Sequence, residues 1–147
     1  MLAKTTNYSI RSLVYIYIRN VHGERPGFKE IAGNIGSPEE FTGKVLQILS
    51  RSGLVSSIKG RGGGFFFDNP EKPLALFEVI KVTEGEEFFY KCGFGLNSCD
   101  AANPCPMHNE YAKVRDSLYN LMKSMTIQSL ASKISKNKAV LNRLEII

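Results

Sequence analysis

Three cysteines fall within fourteen residues, and a histidine follows three positions later, in the pattern Cys92-x6-Cys99-x5-Cys105-x2-His108. The chain holds no other cysteine. Thiolates and an imidazole are the soft donors that proteins use for zinc and for iron–sulfur clusters. The stretch from Gly85 to Pro106 that carries the cysteines is rich in Gly, Asn, Asp, Ser and Pro. It reads as a loop. An odd number of thiols cannot pair fully within one chain. The apolar run Leu13 to Ile18 is six residues, broken by tyrosines and closed by Arg19. That is too short for an export signal, so the expected setting is a reducing cytoplasm, where structural disulfides are rare. No stretch is long enough to span a membrane.

Three thiolates with one weaker ligand suit an iron–sulfur centre whose state can change. Cysteines can also serve as small buried hydrophobes, but a polar, turn-rich loop is a poor place for that. Zinc stays open on ligand type, although its usual two-residue gap occurs only between Cys105 and His108. A thiol switch without metal is the other alternative.

The elements around this loop set its context. A chain of 147 residues suits one domain with an appended segment. The net charge of +5 is uneven. Residues 1–72 carry ten basic and six acidic side chains, net +4, and the remainder nine and eight, net +1. The N-terminal half is where a polyanion would bind. Thr5 to Asn20 has apolar residues at Tyr8, Leu13, Val14, Tyr17 and Ile18, the pattern of a buried helix. His22 lies near its end and reads as a solvated helix-end residue. Phe28 to Ile35 is a short amphipathic helix, and Gly36 makes a turn. Ser37-Pro38-Glu39-Glu40 is a helix start, with Ser37 as N-cap and Pro38 in the first helical position. The following helix runs to about Ser52, burying Phe41, Val45, Leu46, Ile48 and Leu49. Gly53 stops it.

Two helices joined by a glycine turn make a helix-turn-helix. Leu54 to Lys59 and Phe65 to Asn69 read as two strands around the tip Gly60-Arg61-Gly62-Gly63-Gly64. A hairpin in that place is a wing. The expected fold is therefore mainly α with a small β hairpin: a winged helix-turn-helix followed by a long C-terminal dimerisation helix. The helix Pro38 to Ser52 is expected to enter the major groove of double-stranded DNA, offering Ser37, Glu40, Phe41, Thr42, Lys44 and Gln47, with Glu40, Thr42, Lys44 and Gln47 as its exposed positions. Lys59, Arg61, Gly62 and Gly63 of the wing are expected to meet phosphates. Neither GxGxxG nor a P-loop Lys-Ser/Thr is present, so a nucleotide loop is disfavoured. No constellation of acid, base and nucleophile stands out, so an enzyme is not expected. An iron–sulfur electron carrier would have no need of the helix pair and wing.

The residues Tyr8-Ser-Ile-Arg-Ser-Leu13, Ile31-Ala32, Phe41-Thr-Gly-Lys-Val-Leu46, Ser52-Gly-Leu-Val-Ser-Ser57 and Gly60-x-Gly-Gly-Gly-Phe65 resemble the Rrf-type winged-helix regulators. The resemblance covers about residues 4–135. The cysteines and His108 fall where the cluster-binding branch, of IscR, NsrR and RirA type, holds its cluster. It implies a homodimeric, cytoplasmic transcription factor whose affinity for DNA answers to an iron–sulfur cluster, 2Fe–2S or 4Fe–4S, that senses iron, nitric oxide or redox state. The implied metal ligands are Cys92, Cys99, Cys105 and His108. The chain departs from the pattern in a first cysteine gap one residue longer than in IscR-like members, in Thr6-Asn7-Tyr8 where some relatives place an acid, and in Gly43 within the recognition helix.

Met107, Tyr111, Val114, Leu118, Leu121 and Met125 recur at three- and four-residue spacing and predict one long helix. Paired with its copy, that stripe would form a dimer; the alternative is packing on the chain's own core. A dimer predicts an imperfectly palindromic operator. Thr126 to Ile134 reads as a last short helix. The resulting division is 1–84 for the DNA-binding part, 85–106 for the cluster loop, 107–135 for the dimerisation helices and 136–147 for a tail without an assigned role.

Overall fold

The computed structural model describes residues 2–143. Six α-helices, one 3-10 turn and one hairpin make up the described chain. The first helix, α1 (Lys4–Val21), is the centre of the fold, and α2 (Phe28–Ile35) and α3 (Glu39–Arg51) pack against it. Leu13 and Ile16 of α1, Ile31 and Ile35 of α2, and Val45, Leu46 and Leu49 of α3 are fully or almost fully buried and form the first part of the core. The phenol of Tyr15 donates to Glu30 Oε2 at 2.7 Å and ties α1 to α2. Burial, with the bond to Glu30, pushes that phenol up to about 12, so it remains a donor throughout the physiological range.

Gly36 ends α2 in the left-handed conformation, with φ of 69°. The start of α3 differs from the sequence expectation. The helix begins at Glu39, Pro38 is its N-cap, and no side chain caps it. Ser37 instead accepts a 2.8 Å hydrogen bond from the Thr42 hydroxyl, which also donates to the Pro38 carbonyl at 2.9 Å. Thr42 is 0 % exposed. It is therefore corrected from an exposed candidate to a buried residue that fixes the entry of α3. Ile48, expected in the core, is exposed. Phe41 is half-buried, edge-on to Tyr8 at 5.4 Å between ring centroids.

The hairpin consists of β1 (Ser56–Ile58) and β2 (Gly64–Phe66), antiparallel, with Ser57 opposite Phe65. Both strands are shorter than the sequence pattern suggested. The wing is anchored at its base. The Phe65 amide donates to the Pro26 carbonyl at 2.9 Å, and the Asn20 carboxamide accepts from the Phe67 amide at 2.9 Å while donating to the Phe65 carbonyl at 3.2 Å. A side chain at Gly64 would sit 2.2 Å from the Arg25 carbonyl oxygen, so only glycine allows this docking.

Beyond the wing, α4 (Leu76–Glu84) packs on α1 through Val79 and Ile80, both buried. A 3-10 turn (Glu86–Phe89) follows within the stretch expected to be wholly loop, because Phe89 is buried against Phe77 of α4. The long helix α5 (His108–Ser124) lies on α4, its Tyr119 ring meeting Phe77 and Phe89 edge-on at 5.3 and 5.6 Å. Such contacts contribute about 0.5–1.5 kcal/mol each beyond the area they bury. A short antiparallel bridge joins Ala75 to Thr126, and Thr126 caps α6 (Ile127–Ser135) in a reciprocal box with Ser129. The last helix returns to α1. Among the described residues no helix is long and apolar enough to cross a membrane.

Candidate functional site

Two regions carry chemistry. The first is a groove of about 950 Å³ between α3 and the wing. Glu40, Gly43, Lys44, Gln47 and Arg51 face it from the helix, and Lys59, Gly60 and Gly63 from the hairpin. The sequence candidates Glu40, Lys44, Gln47, Lys59 and Gly63 are thus brought to one groove. Ser37, Phe41, Thr42, Arg61 and Gly62 are not among its walls; Arg61 and Gly62 are exposed at the wing tip. Lys44 pairs with Glu40 at 3.7 Å one helical turn away, both exposed. Such a pair is weak and easily exchanged for another partner. Arg51, Phe28 and Ser57 also line the groove and were not singled out from sequence. The alternation of Leu54 to Lys59 marks the strand but carries no sign of which residue faces the helix.

The second region is the loop between the 3-10 turn and α5. Cys92 is 9 % exposed, and Cys99 and Cys105 are half-buried. The Leu96 amide, with those of Phe94 and Gly95 and the Cys105 side chain, holds the Cys92 thiol below its ordinary value, outweighing the opposing effect of burial. A turn closed by the Gly95 amide on the Cys92 carbonyl at 3.1 Å places those amides. A second turn, from the His108 amide to the Cys105 carbonyl at 3.1 Å, leads into α5. It sets His108 as the first helical residue, with its Nδ1 at 3.4 Å from the Cys99 sulfur. Of the four donors, Cys99 and His108 are therefore in direct contact.

Their chemistry fits an iron–sulfur cluster: three thiols, one held toward its thiolate by backbone amides, and an imidazole. Among the described residues, no three or more His, Cys, Asp or Glu side chains gather closely enough to hold a single metal ion. Two supports of the loop were not visible in the sequence. Arg115 of α5 donates to the carbonyls of Tyr90 and Lys91 at 3.4 and 3.1 Å, immediately before Cys92. Gly93 lies beneath Tyr111, and a side chain there would come within 2.5 Å of the ring. Tyr111, which the sequence pattern marks only as an interface residue, thus also covers the loop.

The stripe on α5 divides. Leu118 and Met125 are half-buried against the chain's own core, beside the buried Met122 that the stripe did not include, whereas Met107, Val114 and Leu121 are 37, 61 and 49 % exposed. These three recur every seven residues.

A helix-turn-helix bearing a docked wing, with a helix groove lined by polar and charged side chains, defines a winged-helix regulator. The sequence profile of Rrf2, described as an iron-dependent transcriptional regulator family, matches residues 2–133. The chain belongs to the Rrf2 family of transcriptional regulators. It is 34% identical over 131 residues to protein aau3 of Rhizobium meliloti, covering 88% of this chain and 83% of the relative. Its fold is similar to that of CymR, the global cysteine regulator of B. subtilis, with a TM-score of 0.72 at 21% identity over 90% of this chain and 96% of that one. It is equally similar to IscR of T. potens, with a TM-score of 0.72 at 17% identity over 95% of this chain and 92% of that one.

Proposed function

We propose that this chain binds operator DNA as a homodimer through α3 and the wing, and that an iron–sulfur cluster on the loop before α5 controls that binding. The observation that carries the reading is the contact of Cys99 with His108 at the N-terminus of the helix with the exposed apolar stripe, in one loop with the free thiols of Cys92 and Cys105. Cys92, Cys99, Cys105 and His108 would hold the cluster. When bound, the cluster supplies a centre whose redox state or loss alters the charge and order of the loop. The protein's own part is to hold that loop against α5 through Arg115 and Tyr111, so that its order is felt by the helix next to it. Pairing of α5 with its copy through Met107, Val114 and Leu121 would set two α3 helices about one DNA turn, ~34 Å, apart, which calls for an imperfectly palindromic operator.

Selection from random duplexes tests this, using protein with and without its cluster. A palindromic site whose affinity changes on loss of the cluster is expected; identical affinity in both states contradicts control by the loop.

Arg61 makes a separate prediction. Its charge stands at the wing tip. Arg61→Ala should weaken binding to every duplex alike and lower the slope of log K against log salt by about one contact. Unchanged affinity and slope would remove the wing from the interface.

His108 makes another. As the fourth ligand an imidazole lowers the negative charge of the site and raises its reduction potential relative to a fourth thiolate. The His108→Ala protein, purified without oxygen, should keep at most a labile cluster with an altered spectrum and potential. An unaltered spectrum and potential would place the fourth ligand elsewhere.

A second reading is a regulator that works through its thiols alone. Three free thiols in one loop and the likeness to CymR favour it. Protein purified without oxygen that carries neither iron nor sulfide, and whose DNA affinity answers to thiol oxidants, would establish it.

A further inference from the structure

The segment after α6 crosses back over the fold to the helix-turn-helix. Asn137, in the left-handed conformation with φ of 59°, ends α6, and the Lys138 amide closes the turn on the Lys133 carbonyl at 2.9 Å. Asn tolerates that conformation better than most residues. The chain then runs as Ala139–Val140–Leu141 along a shallow cleft formed with Ile10 and Val14 of α1 and Leu130 of α6. At its end lies Arg11 of α1. The guanidinium donates from Nε to the Leu141 carbonyl at 3.2 Å and from Nη2 to the Asn142 side-chain oxygen at 3.2 Å. The same Nη2 donates to the carbonyl of Ile35, the last residue of α2.

That carbonyl is one of those a helix end leaves without an internal partner. The next residue, Gly36, is the turn between α2 and α3. A side chain on Gly36 would lie 2.9 Å from the Asn142 amide nitrogen, so Asn142 fills the space beside the turn. One half-buried cation therefore joins three parts of the chain: the tail, α1 and the turn that aims α3. Hydrogen bonds from a charged donor are the stronger kind, and the fork of Arg makes them directional.

We propose that residues 139–143 form a strap, clasped by Arg11, that fixes the α2–α3 turn and so positions α3 for reading DNA. Arg11 and Asn142 are positioning residues in this role. The strap leaves from α6, the helix that follows α5, so it links the sensor half of the chain to the DNA-reading half. The inference rests on DNA binding through α3.

The test compares the wild-type chain, a chain ending at Lys138, the Arg11→Ala variant and the two changes combined. The shortened chain loses Arg143 and Glu145 together, so its net charge is unchanged. Each protein is bound to the selected operator and to a duplex of unrelated sequence at several salt concentrations. Helix content, thermal unfolding and oligomeric state are measured in parallel. The shortened chain should keep its helix content and oligomeric state. It should lose about tenfold in operator affinity, the scale of one charge-assisted contact, while its affinity and salt slope on the unrelated duplex stay as in wild type. The combined variant should lose little more, because both changes break one contact. Asn142→Ala should move the operator affinity in the same direction by a smaller factor, and this point variant decides the matter if the shortened chain does not fold. An unchanged ratio of operator to unrelated binding in the shortened chain, or in Asn142→Ala where that variant decides, overturns the strap. A wild-type chain that binds no duplex overturns DNA binding and the strap together.

Discussion

Cys92→Ala protein purified without oxygen is expected to contain almost no iron or sulfide, and its operator affinity should no longer respond to treatments that strip the cluster from wild type. Cys92 is the most buried of the three thiols and the one on which the amides of Leu96, Phe94 and Gly95 converge. Those amides stabilise a thiolate, the form that ligates iron. Alanine removes both the ligand and the acceptor for the amides. The effect should be near-total rather than graded, because thiolates are the principal protein ligands of such clusters and only two would remain. Circular dichroism should show the helices intact, since the lost volume is small. A Cys92→Ala protein with wild-type iron and sulfide would refute the ligand assignment. Cys99→Ala should behave likewise through loss of the partner of His108.

Leu121→Glu is expected to give soluble monomers with operator affinity lowered roughly 10²- to 10⁴-fold, the scale lost when two linked binding events become independent. Leu121 and Val114 are 49 and 61 % exposed, so a carboxylate there meets water in the monomer and an apolar seam in the dimer. Leu118 is a poorer probe, because it is half-buried on the chain's own core and its replacement would disturb the monomer as well. Met122 faces fully inward. Met122→Ala should cost about 2–5 kcal/mol of stability while leaving the oligomeric state unchanged. Sedimentation or light scattering separates the two faces. A Leu121→Glu protein that remains dimeric at wild-type affinity would exclude this stripe as the interface.

Much of the architecture was legible because it rests on local signals. The glycine turn at Gly36, the glycine stop at Gly53 and the hairpin with its glycine tip are written in residues whose backbone freedom the turns need. The heptad-like spacing of α5 was also legible, but periodicity alone could not say which part of a wide stripe the core would take. Tyr119 decides that, through its contacts with Phe77 and Phe89, which lie far from it in sequence. Thr42 was misread for a similar reason. A threonine at an exposed-looking helix position can turn its hydroxyl back to a carbonyl four residues earlier, and here Ser37 and Pro38 receive it. The cysteine spacing marked the loop before α5, yet the turns at Cys92 and Cys105 and the approach of Cys99 to His108 are not determined by spacing. The tail carried no pattern that placed it; residues 139–143 are held by Arg11, 130 positions away from Leu141, and residues 144–147 lie outside the described residues.

Control of DNA binding by this loop requires a cluster in the native protein. The most direct measurement is the visible absorption spectrum of wild-type protein purified without oxygen, with iron and acid-labile sulfide counted per chain. The expected result is sulfur-to-iron charge-transfer absorption with iron and sulfide in equal amounts, lost on air or chelator treatment together with the wild-type operator affinity. A colourless protein without sulfide, binding its operator equally well before and after such treatment, would contradict it.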